Sequence, residues 1–166
     1  HVRAMTDPRV RLVELSHGGN VSRALNAGVA ASRAGWLCVL GSDDVWLPTK
    51  LERQLRETES AGRRWSYTRY ELMTADGAPA PFRSGSSEAI SGWIAAPLLT
   101  DDLGVTICSA MMERSLVEEA GGFREQFPFR QDYDLVVRIA LRAPAHAVDE
   151  SLVRAREHAG RTTCER

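Results

Sequence analysis

At 166 residues with 43% hydrophobic content, the chain is long enough for one domain with a buried core and too short for two. Its 21 basic and 22 acidic residues leave a net charge of −1, so no global field steers it to nucleic acid or to an anionic membrane, and an anionic ligand must be held locally. Three widely spaced cysteines, Cys38, Cys108 and Cys164, exclude a disulfide framework and a Cys-x-x-Cys zinc site, and make a reducing compartment the default.

Residues 10–15 follow Asp7-Pro8, are rich in branched apolar side chains and are expected to form a strand. His17, Gly18, Gly19 and Asn20 punctuate, and residues 21–33 carry Val21, Leu25 and Val29 at helical spacing. Trp36, Leu37, Cys38, Val39 and Leu40 form a continuous apolar run of the kind found in strands buried on both faces of a parallel sheet. It ends on Gly41, Ser42, Asp43 and Asp44. A helix is predicted from Pro48 to Ser60, with Leu51 and Leu55 on its apolar face. Residues 64–73 read as a strand closed by Ala75-Asp76-Gly77, and residues 78–88, rich in proline, glycine and serine, as a mobile loop. Then come a short helix over 93–99, a strand over 105–112, a short helix over 113–120 stopped by Gly121-Gly122, a helix over 132–141 and a strand over 145–154. The alternation implies one α/β domain over 1–166.

No apolar run reaches membrane-spanning length, and the first residues do not form a signal segment, so a soluble chain is expected. A start at His1, inside what reads as running sequence, points to a piece of a longer protein.

Two acidic groups stand out. Asp43 and Asp44 follow the apolar run, where open α/β sheets place their ligand crevice, and a divalent cation with a diphosphate would offset their paired charge. Either residue could equally cap the helix near Pro48. Asp132 and Asp134 open a helix, where carboxylates complement the helix dipole. One of them could instead accept a proton from an attacking hydroxyl. His158, in the polar tail, is either simply exposed or a metal ligand.

The order of these elements strongly resembles family 2 glycosyltransferases of the GT-A fold. The resemblance runs from Asp7-Pro8 through Gly19-Asn20 and Ala24-Leu25-Asn26 to Gly41-Ser42-Asp43-Asp44 and Pro48-Thr49-Lys50-Leu51-Glu52. It resumes at Gly121-Gly122-Phe123 and Gln131-Asp132-Tyr133-Asp134. It implies a Rossmann-like, mixed but mainly parallel sheet flanked by helices, lacking the family's first strands and so presenting an unpaired sheet edge open to self-association.

The resemblance further implies a metal-dependent, inverting transfer of a sugar from a nucleotide-sugar donor, with a UDP-sugar favoured, to the hydroxyl of a glycan, lipid-linked or protein acceptor. Asp132 would be the general base. Asp43 and His158 would hold Mn²⁺ or Mg²⁺, Asn26, Ser42 and Asp44 would lie on the donor side, and Gly122 and Phe123 on the acceptor side. Two positions depart from the family pattern: Gly41 stands where the first Asp of an Asp-x-Asp triplet is usual, and Gln131 where a Glu usually precedes the base. Both fit a competing reading, a degenerate, non-catalytic GT-A module kept for binding or assembly. A receiver-like signalling domain is set aside, because no later Asp and Lys match it. The implied location is cytoplasmic, with peripheral association of the parent protein at the inner face of the membrane.

Overall fold

The computed structural model describes residues 2–16, 18–81 and 88–157. Helix α1 (Val21–Ala31) starts where the Asn20 side chain accepts from the Arg23 N–H at 3.0 Å, satisfying one of the donors that a first turn leaves open. Two short strands, β1 (Trp36–Leu37) and β2 (Val45–Trp46), flank the acidic pair. Helix α2 (Lys50–Ser60) leads to the long strand β3 (Trp65–Met73), which turns back into β4 (Pro79–Ala80). Beyond these lie α3 (Ala95–Leu99), β5 (Ala110–Glu113), α4 (Arg114–Glu119), α5 (Gln131–Ala140) and β6 (His146–Arg156).

The strands form one sheet in the order β1-β5-β3-β6-β2, with β4 added beside β3. Among the described residues only β3 and β6 run parallel; the β1–β5, β3–β5, β3–β4 and β2–β6 pairings are antiparallel. The expectation of a mainly parallel sheet is therefore corrected: the sheet is mixed and mostly antiparallel. An apolar run reports burial but not the direction of its neighbour, which is why residues 36–40 mislead. Only Trp36 and Leu37 pair, against β5, and Leu40 is 47% exposed. Residues 10–15 form no strand, and Val10, Leu12, Val13 and Leu15 are exposed.

The core centres on Trp65, Tyr67, Met112, Leu116, Leu135 and Ile139, contributed by β3, β5, α4 and α5. Helix α2 contributes an unexpected face. Its buried residues are Lys50, Gln54 and Thr58, spaced four apart, while Leu51 is 47% exposed. The reason is the surface beneath. Gln54 Nε2 donates to Ser66 Oγ at 3.1 Å and to the Ser109 carbonyl at 2.9 Å, and Thr58 Oγ1 donates to Ser66 Oγ at 2.6 Å. Polar groups shut away from water need partners, so a polar strand surface selects a polar helix face.

After α4 the chain reverses as the sequence predicts. Gly122 N–H donates to the Val117 carbonyl at 3.0 Å and Gly121 N–H to the Glu118 carbonyl at 2.9 Å, with both glycines at positive φ. This pattern satisfies the last helical carbonyls and demands glycine at the left-handed position. Phe123 then re-enters the core, 3% exposed.

Candidate active site

The acidic pair sits in the loop between β1 and β2. A methyl group on Gly41 would lie 3.0 Å from Asp43 Oδ1 and 3.1 Å from Asp44 Oδ2, so both carboxylates lean over this residue. Asp44 is held at each oxygen: the Cys108 thiol donates to Oδ2 at 2.7 Å, and the Arg156 N–H donates to Oδ1 at 2.9 Å. Burial, then the bond to Asp44, pushes the Cys108 thiol up to about 12. It is protonated at neutral pH, as a donor must be.

Arg156, at the end of β6, also ties the loop to its neighbours. Its Nε donates to the Asp43 carbonyl at 3.0 Å, and its Nη1 donates to the Thr74 and Ala75 carbonyls at 3.1 and 2.6 Å. Beneath the loop, Trp46 Nε1 donates to the Cys108 carbonyl at 2.8 Å, and the Trp46 ring covers the Lys50 ammonium, 4.2 Å from the ring centroid. Cys108, Arg156, Trp46 and Lys50 are the residues that sequence reasoning missed as site supports. Of these, only Arg156 had a readable signal, as a cation closing the last strand two residues before His158.

The second acidic group divides. Asp134 is ion-paired, accepting from Arg138 Nε at 2.9 Å and Arg124 Nη1 at 3.3 Å. Arg138, 8% exposed, also donates to the Ala120 and Gly122 carbonyls and so locks α5 to the double-glycine turn. Asp132 instead lines a cavity of about 220 Å³ with Tyr70, Asp101, Thr106, Arg130 and Tyr133. Its Oδ1 accepts from the Tyr133 N–H at 2.9 Å.

The two carboxylate centres are linked by one segment. Gly104, Val105 and Thr106 line the Asp132 cavity, and Cys108, two residues later, bonds Asp44.

Other expected positions fall as follows. Ser42 is exposed. Both amide atoms of Asn26 engage Phe123, its Nδ2 donating to the carbonyl at 2.8 Å and its Oδ1 accepting from the N–H at 3.0 Å. Gly122 packs against the same amide, since a Cβ there would lie 3.0 Å from Asn26 Oδ1. The Phe123 side chain is buried. His158, His17 and residues 82–87 of the expected loop lie outside the described residues.

Among the described residues, no cluster of three or more His, Cys, Asp or Glu stands ready to hold a metal. The convergence of Asp43 and Asp44 over Gly41 is nevertheless a hard-oxygen donor set, and Mg²⁺-type ions commonly take one or two carboxylates and complete their shell with substrate phosphates and water. The residues present fit such an ion in that manner.

Residues 2–81 match the family described as Glycosyl transferase family 2. That match spans just under half of the chain and includes the Asp43–Asp44 loop. The succinoglycan biosynthesis protein ExoO of Rhizobium meliloti (strain 1021) is 37% identical over 76 residues, covering 46% of this chain and 22% of that protein. An uncharacterized glycosyltransferase of Rickettsia felis (strain ATCC VR-1525 / URRWXCal2) is 28% identical over 153 residues, covering 90% of this chain and 25% of that protein. This chain thus spans about a quarter of the length of these relatives. The fold resembles that of S. aureus TarS 1–349 in complex with UDP-GlcNAc, with a TM-score of 0.64 at 12% identity over 86% of this chain and 40% of that one. At that identity the likeness concerns the fold, which is GT-A-like.

Proposed function

We propose that this domain transfers a sugar, with inversion, from a nucleotide-sugar donor to an acceptor hydroxyl, with Asp132 as general base and the Asp43–Asp44 loop at the donor diphosphate. The observation that carries this reading is the segment 104–108, which borders the Asp132 cavity at one end and bonds Asp44 at the other. Asp132 would take the acceptor proton as the hydroxyl oxygen attacks, a role suited to a carboxylate that lines an open cavity and pairs with no arginine among the described residues. Asp43, with His158, would hold Mn²⁺ or Mg²⁺, which when bound offsets the charge that grows on the departing nucleoside diphosphate. Asp44 orders the loop, Ser42 faces the donor, and Asn26 acts on the donor side through the segment it clamps. Gly122 and Phe123 shape the acceptor side by their backbone.

A UDP-sugar donor is supported by the fold shared with a protein solved with UDP-GlcNAc, and a glycan acceptor by the likeness to ExoO, a succinoglycan biosynthesis protein. No helix among the described residues is long and apolar enough to cross a membrane. The proposed setting is the cytoplasm, with the parent protein at the inner face of the membrane. Self-association is proposed through β1, an outer strand of the sheet.

Calorimetric titration of UDP into the chain, with and without Mn²⁺ and repeated on Asp43→Ala, tests the donor site. Binding that needs both the ion and Asp43 is expected. No binding by a folded chain would favour the second reading, a non-catalytic module, for which the two bonds already held by the Asp44 carboxylate and the Gln131 substitution speak.

A further inference from the structure

The cavity around Asp132 carries one cation, Arg130, with no assigned role. Arg130 and Asp101 are the two non-glycine residues with a left-handed backbone among the described residues, at φ of 57° and 58°, and both line this cavity. Such backbone is uncommon outside glycine and persists only when its surroundings impose it. At Arg130 it sets the residue immediately before α5, beside the Asp132 turn, and the Arg130 carbonyl accepts from the Asp134 N–H at 2.9 Å.

The guanidinium carbon lies 5.8 Å from the ring centroid of Tyr133, which is itself fixed by its hydroxyl donating to the Leu98 carbonyl at 2.8 Å. Arg64, Arg69, Arg124 and Arg138 all pair with carboxylates. Arg130 pairs with none among the described residues, although Asp101 and Asp132 share its cavity. A guanidinium at this distance over a fixed ring leaves its planar fork of N–H donors uncommitted, and the ligand group that matches such a fork is a carboxylate or a phosphate.

We infer that Arg130 selects an acceptor bearing an anionic group, a carboxylate or a phosphate, close to the hydroxyl that reacts. This rests on the reading of the Asp132 cavity as the acceptor site. The neutral part of the acceptor meets Asp101 and Asp132 through its hydroxyls, and its anion meets Arg130. Repulsion from the two carboxylates is screened in an open cavity more than a direct bidentate contact is weakened.

The test is an amide NMR titration of the chain with two matched pairs of probes, glucuronic acid against glucose and glycerol 1-phosphate against glycerol. Arg130→Gly removes the fork while suiting the backbone at φ of 57°, and Arg130→Lys keeps the charge without the fork. Half-saturation of the amide shifts at 101–106 and 130–134 is expected at roughly tenfold lower concentration for a charged probe than for its neutral partner. That preference should vanish in Arg130→Gly and shrink in Arg130→Lys, with the amide spectrum of each variant checking its fold. Whether the carboxylate or the phosphate arm shows the preference names the anion. Equal response to charged and neutral probes, an absence of shifts at these amides, or an unchanged preference in Arg130→Gly would overturn the inference. UDP titrated with Mn²⁺ into the same sample reads the donor site separately, so failure of the transferase reading is distinguished from failure of this one.

Discussion

The Cys108 thiol and the Asp44 carboxylate are joined across 2.7 Å, and the same sulfur receives the Gly41 N–H at 3.4 Å. One buried side chain therefore grips both ends of the acidic loop. Removing the donor in Cys108→Ala leaves Asp44 with the Arg156 N–H alone and frees the loop to sample other geometries. Titration of UDP with Mn²⁺ is expected to weaken by roughly 3- to 10-fold, and Cys108→Ser, which keeps an O–H donor, should recover most of the loss. Identical affinities for the alanine variant and the parent chain would remove Cys108 from the loop's support.

Gly41 stands where the family resemblance leads one to expect an acidic residue, and the space around it supplies a reason. A methyl group added there would meet Asp43 Oδ1 at 3.0 Å and Asp44 Oδ2 at 3.1 Å, so even Gly41→Ala must displace one carboxylate by a few tenths of an ångström. Donor-diphosphate affinity should fall roughly 2- to 5-fold in Gly41→Ala, with little change in melting temperature, since alanine also restricts the unfolded chain. Gly41→Asp adds a third negative charge against the same two oxygens and should lose more, not regain binding. Tighter UDP binding by Gly41→Asp than by the parent chain would show that the glycine is a defect and not a packing requirement.

The features legible in the sequence are those with a local cause. The helix start after the punctuation at 17–20, the double-glycine stop after α4 and the start of α5 all depend on residues within one turn, and each lies close to where spacing predicts it; the Asn20 cap itself is a structural finding. Strand direction is not local, so the apolar run at 36–40 suggests a parallel sheet that the β5 pairing does not provide. The face of α2 escapes a sequence reading for a related reason. Leu51 and Leu55 satisfy an apolar period, but Ser66 and the Ser109 carbonyl call for Gln54 and Thr58. In the site, Asp132 and Asp134 are inseparable by type alone, although Arg138, four residues after Asp134, is a readable hint that the latter is ion-paired. Cys108 lies 64 residues from Asp44 in sequence, and no spacing rule connects them.

Arg138 offers a stability prediction. It is 8% exposed and holds Asp134 while donating to the Ala120 and Gly122 carbonyls, so Arg138→Ala leaves one carboxylate and two turn carbonyls short of partners. A loss of about 2–4 kcal/mol is expected, read as a lowered urea midpoint with unchanged slope. Because the same residue fixes the turn before Phe123, binding at the Asp132 cavity should weaken even in the absence of urea, where the variant is folded. A midpoint within error of the parent chain would mean that water replaces all of these bonds.

Lys50 is fully buried at the start of α2, and its Nζ has no hydrogen-bond partner of ordinary geometry among the described residues. Its polar surroundings are the Cys38 and Cys108 thiols, with the Trp46 ring 4.2 Å away. Burial, the largest cause, lowers the lysine pKa, and the thiols only partly oppose it. A lysine whose folded pKa lies below its unfolded value favours the unfolded state wherever the unfolded amine is charged and the folded one is charged at a cost or neutral. That penalty is full below the folded pKa, shrinks as pH rises from there to the unfolded value, and is gone above it. Lys50→Met keeps the volume and the contact with Trp46 while removing the charge, so it should stabilise the chain at pH 7, by roughly 1 kcal/mol once the lost cation–π contact is deducted. Its advantage should narrow steadily as urea unfolding is repeated at rising pH towards the lysine range. A destabilised methionine variant at pH 7, or a pH-independent difference, would mean that the ammonium is held by more than the aromatic ring and two sulfurs.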